Sequence, residues 1–374
     1  MTAREAYVAF NLTEKIGSVG VARLVAEAGD VVAAWERYPN RTARAGGEVD
    51  WQGEFWRAKS LGVEIVTPAD HGYPPMLLNS PGRPLALYVK GSVEALAKAG
   101  VAMVGTRRAT PYGLDQAFKI AEGLAEMGWS IVSGLALGID AEAHRGALAA
   151  GGTTVGVLGS ALDCFYPEEN RELAREIVRK GGAVASEFPF GREPDQQTFP
   201  QRNHVVAALA SGVVAVEAPT KSGTLITAAI AADLGRTVMA VPGRVDSRSS
   251  QGCLALIRDG ARLVRSAKDV NEELSELLPK KTAGSRQLAD DSRRPTTDAP
   301  PPPKKSAAKP PRPVFTVEEA MIMRELDAEG VSIDELVRRT QLPAAKVNAL
   351  CMSLRIKERV RFFPGNRVAL PRAD

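Results

Sequence analysis

Cysteine and histidine are scarce in this chain, which has three of each among 374 residues. Cys164, Cys253 and Cys351 lie far apart and form no C-x-x-C pair. This pattern excludes a disulfide framework and argues against a zinc site, because both need cysteines at matched spacings. Unpaired cysteines are typical of a reducing compartment, so we expect the protein to be cytoplasmic.

Long apolar runs are missing as well. The first seven residues lack the apolar core of a secretory signal. The longest uncharged apolar run, residues 205–216, is too short to span a bilayer. We therefore expect no membrane association.

The sequence also lacks a recognisable catalytic set. It has no Ser/His/Asp order, no Cys/His pair and no carboxylate pair at a persuasive spacing. Asp140 and His144, four residues apart, are more typical of a helix cap and a packed side chain than of a catalytic or metal-binding pair. We predict that the protein is not an enzyme and uses no cofactor or metal.

Positive charge is concentrated rather than spread. The net charge is +4, yet residues 279–313 alone hold nine basic and three acidic residues, together with nine of the 25 prolines. This composition predicts a disordered basic linker, and a localised basic segment favours a nucleic-acid partner. The linker divides the chain into a large N-terminal part and a small C-terminal module, residues 314–374.

Apolar runs alternate with amphipathic helical patterns between residues 100 and 278. Strands are predicted at 101–104, 130–132, 154–158, 183–186, 213–217, 237–241 and 262–264, and helices at 113–127, 140–149, 168–180 and 224–234. The rhythm predicts an α/β fold, a Rossmann-like, doubly wound parallel sheet over residues 67–278. Residues 1–66 are predicted to be a small helical domain, similar to helix-hairpin-helix and SAM-like modules, with a turn at Gly17 and Gly20. A structural or partner-binding role is favoured there over DNA contact.

Gly-rich and polar clusters follow several of these strands directly. In an open parallel sheet such loops converge on one crevice, where glycines, arginines and a helix N-terminus favour a chain of phosphates. The second strand ends in Ser133-Gly134 rather than in the acidic residue that a dinucleotide site needs. The predicted DNA-binding residues are Gly105, Thr106, Arg107, Arg108, Gly134, Arg202, Asn203, Lys221, Ser222, Gly223, Thr224 and Arg244. Base stacking and core packing both stay open for Tyr112, Phe165, Tyr166 and Phe199.

The C-terminal module has the pattern of a winged helix. Helices are predicted at 317–328, 333–340 and 343–357, followed by an alternating hairpin at 360–369. Residues 336–373 hold nine basic side chains and one acidic one. This charge favours DNA, but the scaffold serves protein contacts equally well, so both roles stay open.

Together these segments resemble the DNA-processing protein A family (DprA, also called Smf). The clearest matches are Val-Gly-Thr-Arg-Arg-Ala-Thr-Pro-Tyr-Gly at 104–113, Val-Ser-Gly-Leu-Ala-Leu-Gly-Ile-Asp at 132–140, Phe-Pro-Gln-Arg-Asn at 199–203, Ser-Gly-Thr-Leu-Ile-Thr-Ala at 222–228 and Ala-Val-Pro-Gly at 240–243. Arg107 matches the arginine of the family's Gly-Ser-Arg motif, with Thr106 in place of the serine. Glu168 and Glu169 stand where many members carry a basic residue, which puts a phosphate contact there in doubt.

The resemblance implies a non-enzymatic protein that binds single-stranded DNA without sequence preference. It also implies a homodimer that helps to load the RecA recombinase on incoming DNA during natural transformation. Two alternatives come from other classes. One is a nucleotide-metabolising enzyme, such as an N-ribosyl hydrolase acting on a monophosphate in the same crevice. The other is a transcription regulator that binds duplex DNA through the winged helix.

Overall fold

The computed structural model describes residues 1–44, 46–274, 317–326, 330–342, 346–347, 350–351, 354, 360–363 and 367–370. The chain forms two compact units, Met1–Leu278 and Pro279–Asp374. The predicted linker, 279–313, and most of the helix predicted at 343–357 lie outside the described residues. The further division of the first unit at residue 66 stays a prediction.

A nine-stranded sheet forms the centre of the first unit. Its strands are β1 (Glu64–Val66), β2 (Leu87–Gly91), β3 (Gly100–Val104), β4 (Ser130–Ser133), β5 (Thr154–Val157), β6 (Ala183–Ser186), β7 (Gly212–Ala215), β8 (Thr237–Ala240) and β9 (Arg262–Leu263). Their order is β1-β2-β6-β5-β4-β3-β7-β8-β9. The seven strands from β6 to β9 are parallel, which confirms the Rossmann-like prediction.

The other two strands correct the expectation of a wholly parallel sheet. β1 pairs antiparallel with β2, and β2 pairs antiparallel with β6, at one edge. β1 lies at the end of the segment predicted to be helical. β1 has only three residues, and in the described chain no α-helix connects β2 to β3, so the alternation of strands and helices did not reveal them.

Helices cover both faces of the sheet. Those of the Rossmann-like part are α5 (Pro75–Leu78), α6 (Pro111–Glu126), α7 (Ile139–Ala149), α8 (Arg171–Arg179), α9 (Thr198–Ala208), α10 (Gly223–Asp233), α11 (Gln251–Arg258) and α12 (Ala267–Leu274). Alternate residues of β3 enter different cores: Ala102 and Val104 pack in one cluster, Val101 and Met103 in the other. A strand buried on both faces has a continuous apolar run, which is why β3 was recognisable from sequence.

In the described residues, four helices precede β1: α1 (Ala3–Leu12), α2 (Ser18–Ala28), α3 (Val31–Arg37) and α4 (Trp51–Leu61). Phe10 packs edge-on against Trp35 at 5.0 Å between ring centroids. The turn between α1 and α2 differs from its prediction, because Gly20 lies inside α2 and Gly17 has an ordinary negative φ. The left-handed residue of this turn is Lys15, with φ of 61°.

A buried carboxylate lies where the N-terminal helices meet the sheet. The Nδ2 of Asn11 donates to the backbone carbonyl of Glu187 at 3.3 Å. Burial raises the pKa of Glu187 to about 7, and the nearby Arg44 guanidinium opposes this only in part. Within the described residues, Glu187 Oε1 is buried with no hydrogen-bond partner. The charged form of this side chain is therefore disfavoured in the folded protein.

We expect Glu187→Gln to stabilise the protein at alkaline pH. The folded pKa lies above the ordinary 4.5, so the folded state holds the proton more tightly and stability falls as pH rises from about 4.5 to about 7. Glutamine has no proton to lose, and its gain above pH 7 should be on the order of 2 kcal/mol. Urea unfolding at pH 5 and pH 8 measures it, with Glu193→Gln, an exposed neighbour, as the control. An equal effect at both pH values would contradict the assignment.

The C-terminal unit has a winged-helix arrangement in its described part. It contains α13 (Val317–Glu325), α14 (Ile333–Thr340), β10 (Val331–Ser332), β11 (Arg361–Phe363) and β12 (Arg367–Ala369). The three strands form a sheet in the order β10-β12-β11. Ile322, Leu336 and Val368 are fully buried in its core. In the described residues of both units, no helix has the length and apolar character needed to cross a membrane.

Candidate nucleic-acid interface

The carboxyl ends of the parallel strands converge on one depression, which we call the crevice. It is lined by Arg107, Gly134, Ala136, Leu137, Gly159, Tyr166, Pro167, Phe199 and Arg202. These residues come from the loops after β3, β4 and β5 and from α9. β3 lies between β4 and β7 in the sheet, so the loop after β7, which carries Lys221 to Thr224, adjoins the same edge. The predicted convergence of these loops is therefore found in the structure.

The loop after β3 displays two arginines. The backbone N–H of Thr106 donates to the carbonyl of Glu217 at 2.7 Å, and the Thr106 hydroxyl accepts the N–H of Arg108 at 3.2 Å. These bonds fix the loop backbone on both sides of Arg107. Both arginine side chains extend outward and are exposed.

A carboxylate of the protein occupies the N-terminus of α6. Glu217 is buried and accepts the N–H and hydroxyl of Thr110 at 2.8 and 2.9 Å and the hydroxyl of Ser249 at 2.6 Å. Sequence reasoning placed a phosphate at this helix, but Glu217 takes that position. It also ties together the loops after β3, β7 and β8. The signal in the sequence was an acidic residue that directly follows an apolar strand.

The N-terminus of α10, unlike that of α6, has no side chain among the described residues bound to its N–H groups. Ser222 precedes the helix with extended backbone, and its side chain caps no helix N–H. Within the described residues, its buried hydroxyl oxygen has no hydrogen-bond partner. The first N–H groups of an eleven-residue helix thus point out beside Ser222, Gly223 and Thr224. Such groups and the helix dipole favour an anion.

Three cations near the crevice have no carboxylate partner. In the part of the chain that the structure describes, no ion pair involves Arg107, Arg108 or Lys221. Arg244, by contrast, holds Asp246 in a bidentate pair with both contacts at 3.0 Å. Unpaired arginines and a lysine give the crevice an uncompensated positive potential, whereas Arg244 contributes less than predicted.

Arg202 lies beneath the crevice rather than on its surface. It is 5% exposed, and its Nη1 donates to the backbone carbonyls of Gly134 and Val157. The buried Asp140 supplies the nearest opposing charge: burial lowers the pKa of Arg202 and Asp140 raises it. Asp140 in turn accepts the N–H of Gly134 at 3.1 Å. Arg202 and Asp140 thus bind the carbonyl and the N–H of Gly134, respectively, and fix the loop after β4.

Asn203 connects α9 to the open helix end. Its side-chain oxygen accepts Arg202 Nε at 3.2 Å, and its Nδ2 lies 3.5 Å from the Gly223 carbonyl. Arg202 and Asn203 thus bridge the loop after β4 and the start of α10. Whether either touches a ligand stays a prediction.

Most glycines of the crevice are explained by packing. A methyl group on Gly105 would overlap Ile139, and one on Gly134 would overlap the Arg202 guanidinium. Gly223 differs. A methyl group added there would have Asn203 Nδ2 as its nearest neighbour, at 3.8 Å, which is an ordinary contact. The sequence suggested that these glycines let a ligand approach closely. Of the three, only Gly223 still needs that explanation, because packing accounts for the other two.

We expect Gly134→Ala and Gly223→Ala to separate these two reasons. The first should lower the free energy of unfolding by about 2 kcal/mol, because the methyl group displaces the buried Arg202. The second should change stability by less than about 0.5 kcal/mol, since it faces open space. It should still weaken phosphate-ligand binding by about tenfold, because the methyl group shields the helix N–H groups. Chemical denaturation and fluorescence anisotropy check both. Unfolding energies that are equal for the two variants would refute the distinction.

Two aromatic side chains face the crevice. Tyr166 is 46% exposed, and its ring centroid lies 6.2 Å from that of Phe199. The Arg107 guanidinium lies over Phe199, 4.8 Å from the ring centroid. Tyr112 instead donates its hydroxyl to the Pro242 carbonyl at 3.0 Å. Tyr166 and Phe199 are therefore the aromatic candidates for stacking on a base.

The acidic turn at Glu168 and Glu169 adds no cation to the crevice. Arg171, the next basic residue in the chain, holds Glu168 through two contacts of 2.5 and 2.6 Å. Arg175 pairs with Glu172 at 3.2 Å. Neither arginine lines the crevice, so neither compensates there for the departure from the family pattern.

His144 is buried away from the crevice. Its Nδ1 lies 2.7 Å from the Thr154 hydroxyl, and burial lowers its pKa to about 3. It is therefore neutral at any ordinary pH. Among the described residues, no three potential ligands cluster in a way that could hold a metal ion.

Comparisons with known proteins agree on one family. The family of DNA recombination-mediator protein A matches residues 64–275, and the DprA winged helix domain matches residues 297–366. Protein Smf of Synechocystis is 34% identical over 321 residues, which cover 81% of this chain and 79% of that protein.

Two solved structures resemble this one. DNA processing protein A of Streptococcus pneumoniae is 32% identical, with a TM-score of 0.60 over 73% of this chain and 98% of that chain. The protein of the same name from Helicobacter pylori, whose structure concerns its single-stranded DNA binding mode, is 30% identical. Its TM-score is 0.51 over 58% of this chain and 98% of that chain. Since the family match spans more than half of the residues, this chain belongs to the DNA recombination-mediator protein A family.

Proposed function

We propose that this protein binds single-stranded DNA in the crevice, without sequence preference. The observation that carries the proposal is the set of unpaired cations, Arg107, Arg108 and Lys221, beside the open N-terminus of α10. Phosphates bind such groups whatever the base, and Tyr166 and Phe199 offer stacking faces that every base can use. The relative from Helicobacter pylori is a protein with a single-stranded DNA binding mode, which supports the same ligand here.

The proposed DNA contacts follow from the crevice geometry. They are Gly105, Thr106, Arg107, Arg108, Asn203, Lys221, Ser222, Gly223, Thr224 and Arg244, with Gly134 and Arg202 supporting the floor. Two buried carboxylates close to these groups are already engaged. Glu217 accepts three hydrogen bonds, and Asp140 holds the loop after β4 next to Arg202. This engagement leaves neither as a general base, which supports a binding protein over an enzyme.

Fluorescence anisotropy with labelled oligo-dT and a duplex of equal length tests the proposal. We expect single strands to bind more tightly, with affinity falling by about 0.7 log units per log unit of salt for each neutralised phosphate. A chain ending at Leu278 should keep this preference, because the crevice lies within the first unit. Duplex preference that disappears with the truncation would instead assign the function to the winged helix. Turnover of a nucleoside monophosphate would favour the enzyme alternative.

We further propose the finer role that the family resemblance implied. The protein would act as a homodimer in the cytoplasm and help to load RecA on incoming DNA during natural transformation. Sedimentation velocity at several protein concentrations tests the dimer. RecA-mediated strand exchange, with and without this protein, tests the loading role, and an unchanged rate would contradict it.

A further inference from the structure

A second concave surface lies beside α8, apart from the crevice. This groove, which we call the α8 groove, has a volume of about 490 Å³. Its apolar lining consists of Leu61, Val63, Leu162, Phe165, Ala174, Val178 and Val184. Several of these contribute only part of their surface to neighbouring cores, and Leu61 is 41% exposed. An open apolar groove of this size on a folded unit is typical of a binding surface.

Basic side chains outnumber acidic ones around the α8 groove, by four to two, and one of the two carboxylates, Asp163, is paired with Arg57 outside the lining. Arg171, Arg175 and Arg179 follow one another at intervals of four along α8, which places them on one face of the helix. Arg175 and Arg179 both contact the single carboxylate of Glu172, at 3.2 and 3.3 Å. Two guanidiniums on one carboxylate leave a net positive charge.

These ion pairs can exchange for others. The side chains of Arg175, Arg179 and Glu172 are each about two-thirds exposed. Exposed ion pairs of this kind contribute little to stability, so an incoming carboxylate can replace Glu172 at a small cost in free energy. Across the groove, Lys90 donates to the carbonyl of Leu61 at the end of α4 and adds to the positive potential.

The arrangement favours a protein segment over DNA. The only aromatic lining residue of the α8 groove is Phe165, and the Arg171 guanidinium already covers its ring at 5.0 Å. One ring among thirteen lining residues provides little stacking for a run of bases. The chain between Pro167, at the crevice, and Arg171, at the groove, carries Glu168 and Glu169. Their carboxylates repel a phosphate backbone that would run from one site to the other.

We propose that the α8 groove binds a short acidic segment of a partner protein, which inserts a large apolar side chain between α8 and the β1–β2 edge. The apolar lining would take the anchor, and Arg175 and Arg179 would pair with the acidic residues on either side. The excess of basic side chains favours acidic residues in the partner, and the apolar lining favours an apolar anchor. The proposal is independent of DNA binding in the crevice.

Peptide selection on the full-length chain tests the chemistry directly. A random heptapeptide phage library would be selected on the immobilised protein and counter-selected on the double variant Arg175→Glu/Arg179→Glu. We expect enriched peptides to combine at least two acidic residues with one large apolar residue. By anisotropy, the double variant should bind a labelled enriched peptide about tenfold more weakly, as two exposed charge contacts would give. Alanine in place of the apolar residue should also abolish binding.

A matched control uses the same substitutions elsewhere. Arg145 and Arg258 are exposed and paired with Glu142 and Asp259, outside the groove. Arg145→Glu/Arg258→Glu should leave peptide affinity unchanged. No enrichment, enriched peptides without acidic residues, or equal loss in both double variants would overturn the proposal. Oligo-dT affinity should be the same for wild type and the groove variant. A fall specific to the groove variant would assign the groove to DNA and overturn the proposal as well.

Discussion

Replacing Arg107 and Lys221 by alanine is expected to weaken oligo-dT binding by about 100-fold. In the proposed complex each side chain supplies a charge-assisted contact to phosphate, and each contact contributes about 1.5 kcal/mol. The slope of log affinity against log salt should also fall by about 1.4, since two fewer phosphates are neutralised. Anisotropy over a salt series measures both quantities. The loss should be similar for oligo-dT and mixed sequences, because phosphate contacts do not depend on the base.

The control for this variant removes the same number of positive charges outside the crevice. Arg258→Ala/Lys268→Ala also removes two cations, but Arg258 is paired with Asp259 and Lys268 with Glu272, and neither is a proposed DNA contact. Its effect on affinity should be several times smaller. The crevice assignment would be wrong if both double variants lost the same affinity, because the effect would then reflect net charge alone. Phe199→Leu adds a separate test, since it removes the ring beneath Arg107 without changing charge.

Asp140→Ala should lower the free energy of unfolding by about 2 kcal/mol, because a buried backbone N–H loses its acceptor and Arg202 loses a nearby opposing charge. Asp140 is 6% exposed and Arg202 5% exposed, so removing the carboxylate leaves a buried guanidinium without its opposing charge. The N–H of Gly134 loses its acceptor at the same time. Urea unfolding of the chain ending at Leu278, which forms one compact unit, measures the change.

Two further variants distinguish a lost charge pair from general damage to α7. Glu142→Ala lies in the same first turn but pairs with an exposed arginine, Arg145, so its effect should stay below about 0.5 kcal/mol. Asp140→Ala/Arg202→Met removes both buried charges and should recover part of the stability lost in the single variant. If the two changes simply add, the charges do not interact and the explanation fails.

The sequence contained most of the sheet. Each strand from β3 to β9 was predicted within a few residues. β3 to β7 are buried throughout, and such a strand appears as a short apolar run between helical patterns. β1 and β2 were missed for the opposite reason. β1 has three residues, and its pairing with β2 depends on residues more than twenty positions apart. No local pattern carries that information.

The crevice was predicted in outline but not in its internal roles. Arg107 and Lys221 followed strands directly, and such positions are at the surface of an open sheet. Arg202 looked equally suitable, yet its buried contacts with Gly134 and Val157 come from residues 68 and 45 positions away. The reason for the glycines was also mispredicted, because a methyl group on Gly105 would overlap Ile139, a residue of another element. Side-chain partners distant in sequence decided each of these outcomes.

Glu217 has a consequence for the thermodynamics of binding. It joins loops from three neighbouring strands through Thr110, Ser249 and its own backbone before any ligand arrives. The conformational entropy of ordering these loops is therefore lost during folding rather than during association. A rigid surface that offers cations at fixed spacings suits the regular repeat of a phosphate backbone. Such a surface does not reshape itself around individual bases, so its rigidity would account for the sequence-independent binding that we propose.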